Sequence, residues 1–291
     1  MKQKDDIVSV EYNERVKAKL KEITYNLIER LESHGLRYWA WGGTALGAVR
    51  HGDIIPWDDD VDICMPRADY ERFLKLKNEC LKDGYDILAM PQRGYIYPFA
   101  KYIDRQTTVW ESVVFPQVMG LYVDVFPIDC LDMDREMISR LQHQYIRLYR
   151  SYQWAYWRFN LQYAVEHFPD GAKPIVYQYR RICPQYYLQR FADFEKKLIG
   201  GNGQYCISFS QYEGKLLRSE WFNTEVEKQL GERKIKVIGD YDSYLTEMYG
   251  DYMQLPPESQ RITHNRVYIN LAEGLSLRQV KDRLKQGERN V

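Results

Sequence analysis

Four aspartates occupy five positions in the run PWDDDVDICMP: Asp58, Asp59, Asp60 and Asp62. If the chain is extended here, Asp60 and Asp62 project to one face while Val61 and Ile63 point to the other, into a core. Carboxylates a few ångströms apart repel, and at an effective dielectric of about 20 two like charges 4 Å apart cost roughly 4 kcal/mol. A cation between them removes that cost. Hard oxygen donors at adjacent positions suit Mg2+ or Mn2+, which complete their shells with water and substrate phosphates. Asp124, flanked by Val123 and Val125 in GLYVDVFPID, is the natural third ligand, and a carboxylate there can also take a proton from an attacking hydroxyl. Upstream, Gly42-Gly43 lets the backbone approach a phosphate closely, and a helix capped by Thr44 offers free N–H groups and a positive dipole end. Glycine turn and acidic strand together predict a metal-bound phosphate substrate gripped from two sides. A calcium loop has the alternate spacing of Asp58, Asp60 and Asp62 but would need glycine where Ile63 stands. A solvated acidic turn after Pro56 is the remaining alternative, and the apolar Val61 and Ile63 weigh against it.

These residues need elements to hold them. Leu20, Ile23, Leu27, Ile28 and Leu31 recur at helical spacing and His34-Gly35 follows, which predicts an amphipathic helix over 8–33. Tyr38 to Trp41 reads as a strand running into the glycine turn and a helix to about Val49. Val61 to Met65 is a second strand, and Pro66 starts a helix whose inner residues are Tyr70, Phe73, Leu74 and Leu76. YDILAM, YPFAKYID and GLYVDVFPID supply further strands. From Met133 the pattern turns helical through an aromatic-rich tract and FADFEKKLIG until GGNG interrupts it. KIKVI is a short strand, and GDYDSYLTEMYG is a helix ending near Gly250. The resulting fold class is α/β (α+β), a mixed sheet flanked by helices, with a mixed half at 1–132 and a mainly helical half at 133–291.

The chain has 291 residues, with 41 basic and 41 acidic side chains. Zero net charge argues against a nucleic-acid partner, so any electrostatic function must be local. The N-terminal stretch lacks the apolar core of a signal peptide and no run of about 18 apolar residues occurs, so the expectation is a cytoplasmic protein without a span of its own. The five cysteines, at 64, 80, 130, 183 and 206, have no CxxC pair, and we expect reduced, mostly buried thiols. The chain has twenty-five tyrosines and seven tryptophans, many of them between 145 and 191, where they mix with Arg147, Arg150, Arg158, Lys173, Arg180, Arg181 and Arg190. Such a tract can bind sugars or make peripheral contact with a membrane. Core packing with arginines snorkelling past the rings is the favoured reading.

WGGTALGAVRHGDIIPWDDDVDI, KYIDRQTT, GLYVDVFPID and YGDYMQLPPESQR together resemble the LicD family, bacterial relatives of fukutin-type proteins within the nucleotidyltransferase-fold superfamily. The resemblance covers about 38 to 130 and again 248 to 265. It implies a nucleotidyltransferase-like core with a C-terminal segment returning to the site. It further implies a phosphotransferase that moves an alcohol phosphate, often phosphocholine, from a CDP-alcohol donor to a hydroxyl of a glycan, which can be assembled on a polyprenyl carrier. The family's acidic pair maps onto Asp60 and Asp62, its third acidic residue onto Asp124 and its glycine turn onto Gly42 and Gly43. Asp58 and Asp59 become additional ligands or their supports, and Arg50 and Lys101 suit pyrophosphate oxygens. This chain has His264-Asn265 where some relatives carry paired histidines. Two other activities compete with this one. A nucleotidyltransferase would use the same metal site and release pyrophosphate, and an idle glycan-binding protein would retain only the fold.

Overall fold

The computed structural model describes residues 10–92, 94–112, 117–159, 183–198, 201, 203–211, 214–261, 263 and 266–288. Its first helix, α1 (Val10–Ser33), buries Leu20, Ile23, Leu27, Ile28 and Leu31, the stripe its periodicity predicts. The short strand β1 (Trp39–Ala40) leads into α2 (Gly42–Arg50), and β2 (Asp62–Pro66) into α3 (Arg67–Leu74) and α4 (Lys77–Lys82). Then come β3 (Tyr85–Leu88), β4 (Ala100–Trp110) and the long β5 (Met119–Leu131). Helix α5 (Arg135–Phe159) follows, then α6 (Pro184–Glu195), β6 (Tyr205–Ile207) and β7 (Leu217–Arg218). The hairpin β8 (Glu225–Leu230) and β9 (Arg233–Ile238), α7 (Tyr241–Tyr249), β10 (Tyr268–Asn270) and α8 (Leu277–Lys285) complete the described elements.

The main sheet runs β1-β2-β5-β4-β10, with β3 also on β4 and β6 and β7 continuing from β5. β2 and β5 are parallel, whereas β4 and β5 are antiparallel. β5 holds this arrangement together because its long, almost continuously buried run pairs with three neighbours: β4, β2 and β6. Helix α1 packs against β4 and β5, so its apolar stripe and the sheet close one core. The mixed α/β class therefore stands.

Among the described residues, five short strands lie beyond residue 132, more than the helical pattern there suggests. β8 was hidden because its sequence EVEKQL leaves most side chains in water, so no apolar run marks it. β10 has only three residues, too few for periodicity to register, yet it pairs with β4 through Asn270↔Thr108.

The cysteine expectation needs correction. Cys130 and Cys206 stand directly opposite each other in the antiparallel β5–β6 register and form a disulfide. Seventy-six residues separate them in sequence, so the pairing is invisible until the strands are aligned. Cys64 and Cys80 are buried thiols and Cys183 is an exposed one.

A second core forms where α5 and α6 pack: Tyr145, Tyr152, Tyr187, Phe191, Phe194 and Phe209 are all buried. Phe191 meets Tyr145 at 5.4 Å and Tyr152 at 5.9 Å between ring centroids, both edge-on. Tyr145 and Tyr152 also donate hydroxyls to the carbonyls of Pro98 and Tyr95, fastening this layer to the loop before β4. For these residues the aromatic tract is core; Arg158, Lys173, Arg180 and Arg181 lie in a stretch about whose side chains the structure gives no description. No described helix is long and apolar enough to cross a membrane. Phe191→Ala is expected to cost about 3–5 kcal/mol in urea unfolding; a ring serving only membrane or glycan contact would leave stability nearly unchanged.

Candidate functional site

Sheet register assembles the centre of the site. Asp62 is the partner of Asp124 across β2–β5, and Lys101 is the partner of Asp124 across β4–β5. One rung across three strands therefore reads Asp62, Asp124, Lys101, all on one face. Val61, Ile63, Val123 and Val125 are fully buried, so the alternation that lifts the carboxylates out is the same one that fills the core. The strand β2 begins only at Asp62, so Asp60 sits in the connecting turn and not in the strand expected for it.

The Lys101 ammonium donates to both oxygens of Asp124, at 2.8 and 3.1 Å. It lies 3.4 Å from the ring centroid of Tyr122, with Tyr97 at 4.5 Å and Phe99 at 5.4 Å. Glu111 stands 3.7 Å from the same ammonium. Tyr97 and Tyr122 donate their hydroxyls to Glu111, one to each carboxylate oxygen.

Electrostatics mark this as an acidic pocket short of positive charge. Burial pushes Asp124 up to about 7 against the pull of Lys101. Asp62 is held well above the usual carboxylate range by burial and then by Asp60, Asp124 and Asp58. Asp58 is pushed up to about 7 by burial and by Asp60, with which it shares a hydrogen bond. Each shift reflects first the burial of a charge and then repulsion from neighbouring carboxylates.

The glycine turn faces these carboxylates. A Cβ on Gly43 would come 2.8 Å from an Asp58 oxygen, and one on Gly42 3.6 Å from both an Asp62 oxygen and the Tyr249 hydroxyl. Gly42 has φ +52°, in the left-handed region that favours glycine. Its N–H donates to the Tyr244 hydroxyl at 2.9 Å, and the Thr44 N–H goes to the Trp41 carbonyl. Gly43 is thus the turn residue whose N–H has no acceptor among the described residues. Thr44 lies inside α2 and does not cap it; Trp41 holds the N-cap position, and the Thr44 hydroxyl accepts the Asp62 N–H at 2.8 Å, tying turn to strand.

Both ends of the chain hold the acidic loop. Lys17 of α1 donates to the Pro56 carbonyl at 2.6 Å. From the other end, the Thr263 hydroxyl donates to the Trp57 carbonyl and Arg261 lies 4.9 Å over the Trp57 ring. Arg266 makes a buried ion pair with Asp59 and also donates to the Asp59 carbonyl at 2.7 Å. Asp59 is therefore a structural anchor. Arg50 donates to the carbonyls of Tyr252 and Gln254, at 2.7 and 3.1 Å, and fixes the loop after α7.

The structure thus brings Gly42, Gly43, Asp58, Asp60, Asp62, Asp124 and Lys101 together and gives Arg50 backbone partners at the rim. His264 lies outside the described residues. Sequence reasoning missed Glu111, Tyr97, Tyr122 and Tyr249. The Tyr249 phenol is raised by burial and by Asp62, Asp58 and Asp60, which places it against the cluster. Only YGDY in the resembling tail segment hinted at it; no motif marked Glu111. Among the described residues, no three His, Cys, Asp or Glu side chains form a ready-made metal cage. A Mg2+ site commonly takes one or two carboxylates and leaves the rest of its shell to water and substrate phosphate. Asp60 and Asp62 suit that role, with Asp124 already engaged by Lys101.

Residues 35–154 match the family described as "LicD/FKTN/FKRP, nucleotidyltransferase domain". Over 246 residues the chain is 29% identical to the lipopolysaccharide cholinephosphotransferase LicD of Haemophilus influenzae, covering 80% of this chain and 88% of that protein. Over 116 residues it is 57% identical to the human ribitol 5-phosphate transferase FKRP, covering 37% of this chain and 20% of that protein. A stretch of 59 residues is 42% identical to the uncharacterized protein RT0683 of Rickettsia typhi.

Arg266→Met leaves Asp59 buried without its cation and is expected to cost about 3–5 kcal/mol in urea unfolding. Adding Asp59→Asn should recover part of that loss, because no uncompensated charge then remains. Equal instability of single and double variants would show that packing, and not charge, holds the loop.

Proposed function

We propose that this chain, whose residues 35–154 are a LicD-family nucleotidyltransferase domain, is a metal-dependent phosphotransferase that moves an alcohol phosphate from a CDP-activated donor to a hydroxyl of a cell-surface glycan or its lipid-linked precursor, releasing CMP. The observation that carries the reading is the Asp62–Asp124–Lys101 rung facing a glycine turn in which Gly42 has φ +52° and a Cβ on Gly43 would come 2.8 Å from an Asp58 oxygen. Phosphocholine is the favoured group, because the match to the cholinephosphotransferase covers 80% of the chain and that to the ribitol phosphate transferase 37%.

The donor set fits Mg2+ or Mn2+. It consists of hard carboxylate oxygens, crowded together and raised first by burial and then by one another. Asp60 and Asp62 would hold the ion, with Asp124 as third ligand. When bound, it neutralises donor phosphate oxygens and polarises the phosphorus under attack. Gly42 and Gly43 let the diphosphate approach the backbone, where the Gly43 N–H can donate to it. The Tyr249 hydroxyl stands beside that cradle. The Asp124 carboxylate, placed beside Asp62 on the open face, can accept the proton of the acceptor hydroxyl. The hydroxyl oxygen then bonds to the phosphorus of the alcohol phosphate as the bond to CMP breaks, and Lys101 offsets charge at the centre. We further place the reaction on the cytoplasmic face of the membrane, where a polyprenyl-linked acceptor would be met.

The test is CMP release from CDP-choline, CDP-ribitol and CDP-glycerol with a glycan acceptor, with Mg2+ and with chelator. Asp62→Asn is expected to lower turnover at least about 100-fold with the fold intact by circular dichroism. Pyrophosphate release from a nucleoside triphosphate would instead make this a nucleotidyltransferase. Binding of glycan without either product would leave an idle member of the fold.

A further inference from the structure

Lys101 is hemmed in by three aromatic rings and touched by two carboxylates, a setting richer than a single ion pair requires. Its ammonium is 2.8 Å from Asp124 and 3.7 Å from Glu111, so the second carboxylate is less than an ångström farther from it than the first. Glu111 is held ready. Each of its oxygens receives a phenol, and those phenols belong to Tyr97 and Tyr122, two of the rings around the ammonium. Burial alone would raise the Glu111 carboxyl, but Lys101, Tyr122 and Tyr97 outweigh it and hold it below the ordinary value. The carboxylate is therefore kept charged and cannot wander. Lys101 itself is 2% exposed, so the box cannot be left for solvent without stripping its cation–π contacts.

Resting on the phosphotransferase reading, we propose that Glu111 is a positioning residue: it offers Lys101 a second carboxylate inside the same aromatic box, so that Asp124 can be released to a divalent cation while the ammonium stays at the centre. Without Glu111, Asp124 has Lys101 as a standing competitor. With it, the pocket carries no net change in pairing when Asp124 changes partner, because the ammonium simply leans from one carboxylate to the other.

The test is calorimetric titration of Mn2+ into the full chain. Wild type is expected to bind, and Asp62→Asn to abolish binding. Glu111→Gln should weaken Mn2+ about tenfold, whereas in a Lys101→Met background the same substitution should change it less than about twofold, since the competitor is gone. Glu111→Asp should restore part of the affinity. Equal weakening in both backgrounds would mean that Glu111 acts only through its charge or through the fold, and no weakening in wild type would mean that it does nothing; either result overturns the inference while leaving the metal site standing. Wild type that fails to bind Mn2+ overturns the parent reading and this one with it. Should Glu111→Gln not fold, Tyr97→Phe with Tyr122→Phe unties the same carboxylate and should weaken Mn2+ several-fold, again only when Lys101 is present.

Discussion

Like charge in a poorly screened pocket is the constraint that orders the rest of this structure. Asp62 and Asp124 share one face of a sheet whose other face carries Ile63, Val123 and Val125, and Asp58 and Asp60 approach them from the loop before β2. The alternation that buries Ile63, Val123 and Val125 puts Asp62 and Asp124 on the same face, so the strands cannot relieve that repulsion by turning one of them away. The fold must bring cations instead. Lys101 arrives through β4 and Arg266 through the C-terminal segment, each buried and each spent on a specific carboxylate. What these do not neutralise defines the demand that a metal and a phosphate would meet.

A second theme is how far the chain reaches to shape a short loop. The turn from Pro56 to Asp60 has no secondary structure to fix it, yet Lys17, Thr263 and Arg266 hold its backbone from opposite ends of the sequence. The glycine turn is held in the same manner, with Trp41 stacked on Tyr244 at 5.1 Å while the Tyr244 hydroxyl accepts the Gly42 N–H. Such distant fastening keeps a loop as rigid as an element without restricting which side chains it displays.

Local pattern made part of this readable in advance. The stripe of α1, the strands around Lys101 and Asp124 and the end of α7 at Gly250 follow from periodicity and capping, because each is a property of adjacent residues. The aspartates and the glycine turn could be picked out by type and spacing. Register could not: that Asp62, Asp124 and Lys101 form one rung depends on how three strands align. Glu111 was silent for a related reason, since a lone glutamate after a strand looks solvated until two tyrosines from elsewhere meet it. The Cys130–Cys206 disulfide and the small strand β10 were hidden by long separation and short length.

The Asp59–Arg266 pair spans 207 residues. A ribosome delivers the acidic loop long before its arginine, which follows β8, β9 and α7. Until Arg266 has emerged, the acidic loop lacks the ion pair and the carbonyl hydrogen bond that Arg266 brings to Asp59. The last fastening of the acidic loop is thereby deferred until all of the intervening chain has been made, so the loop is one of the latest parts of this structure to acquire its final shape.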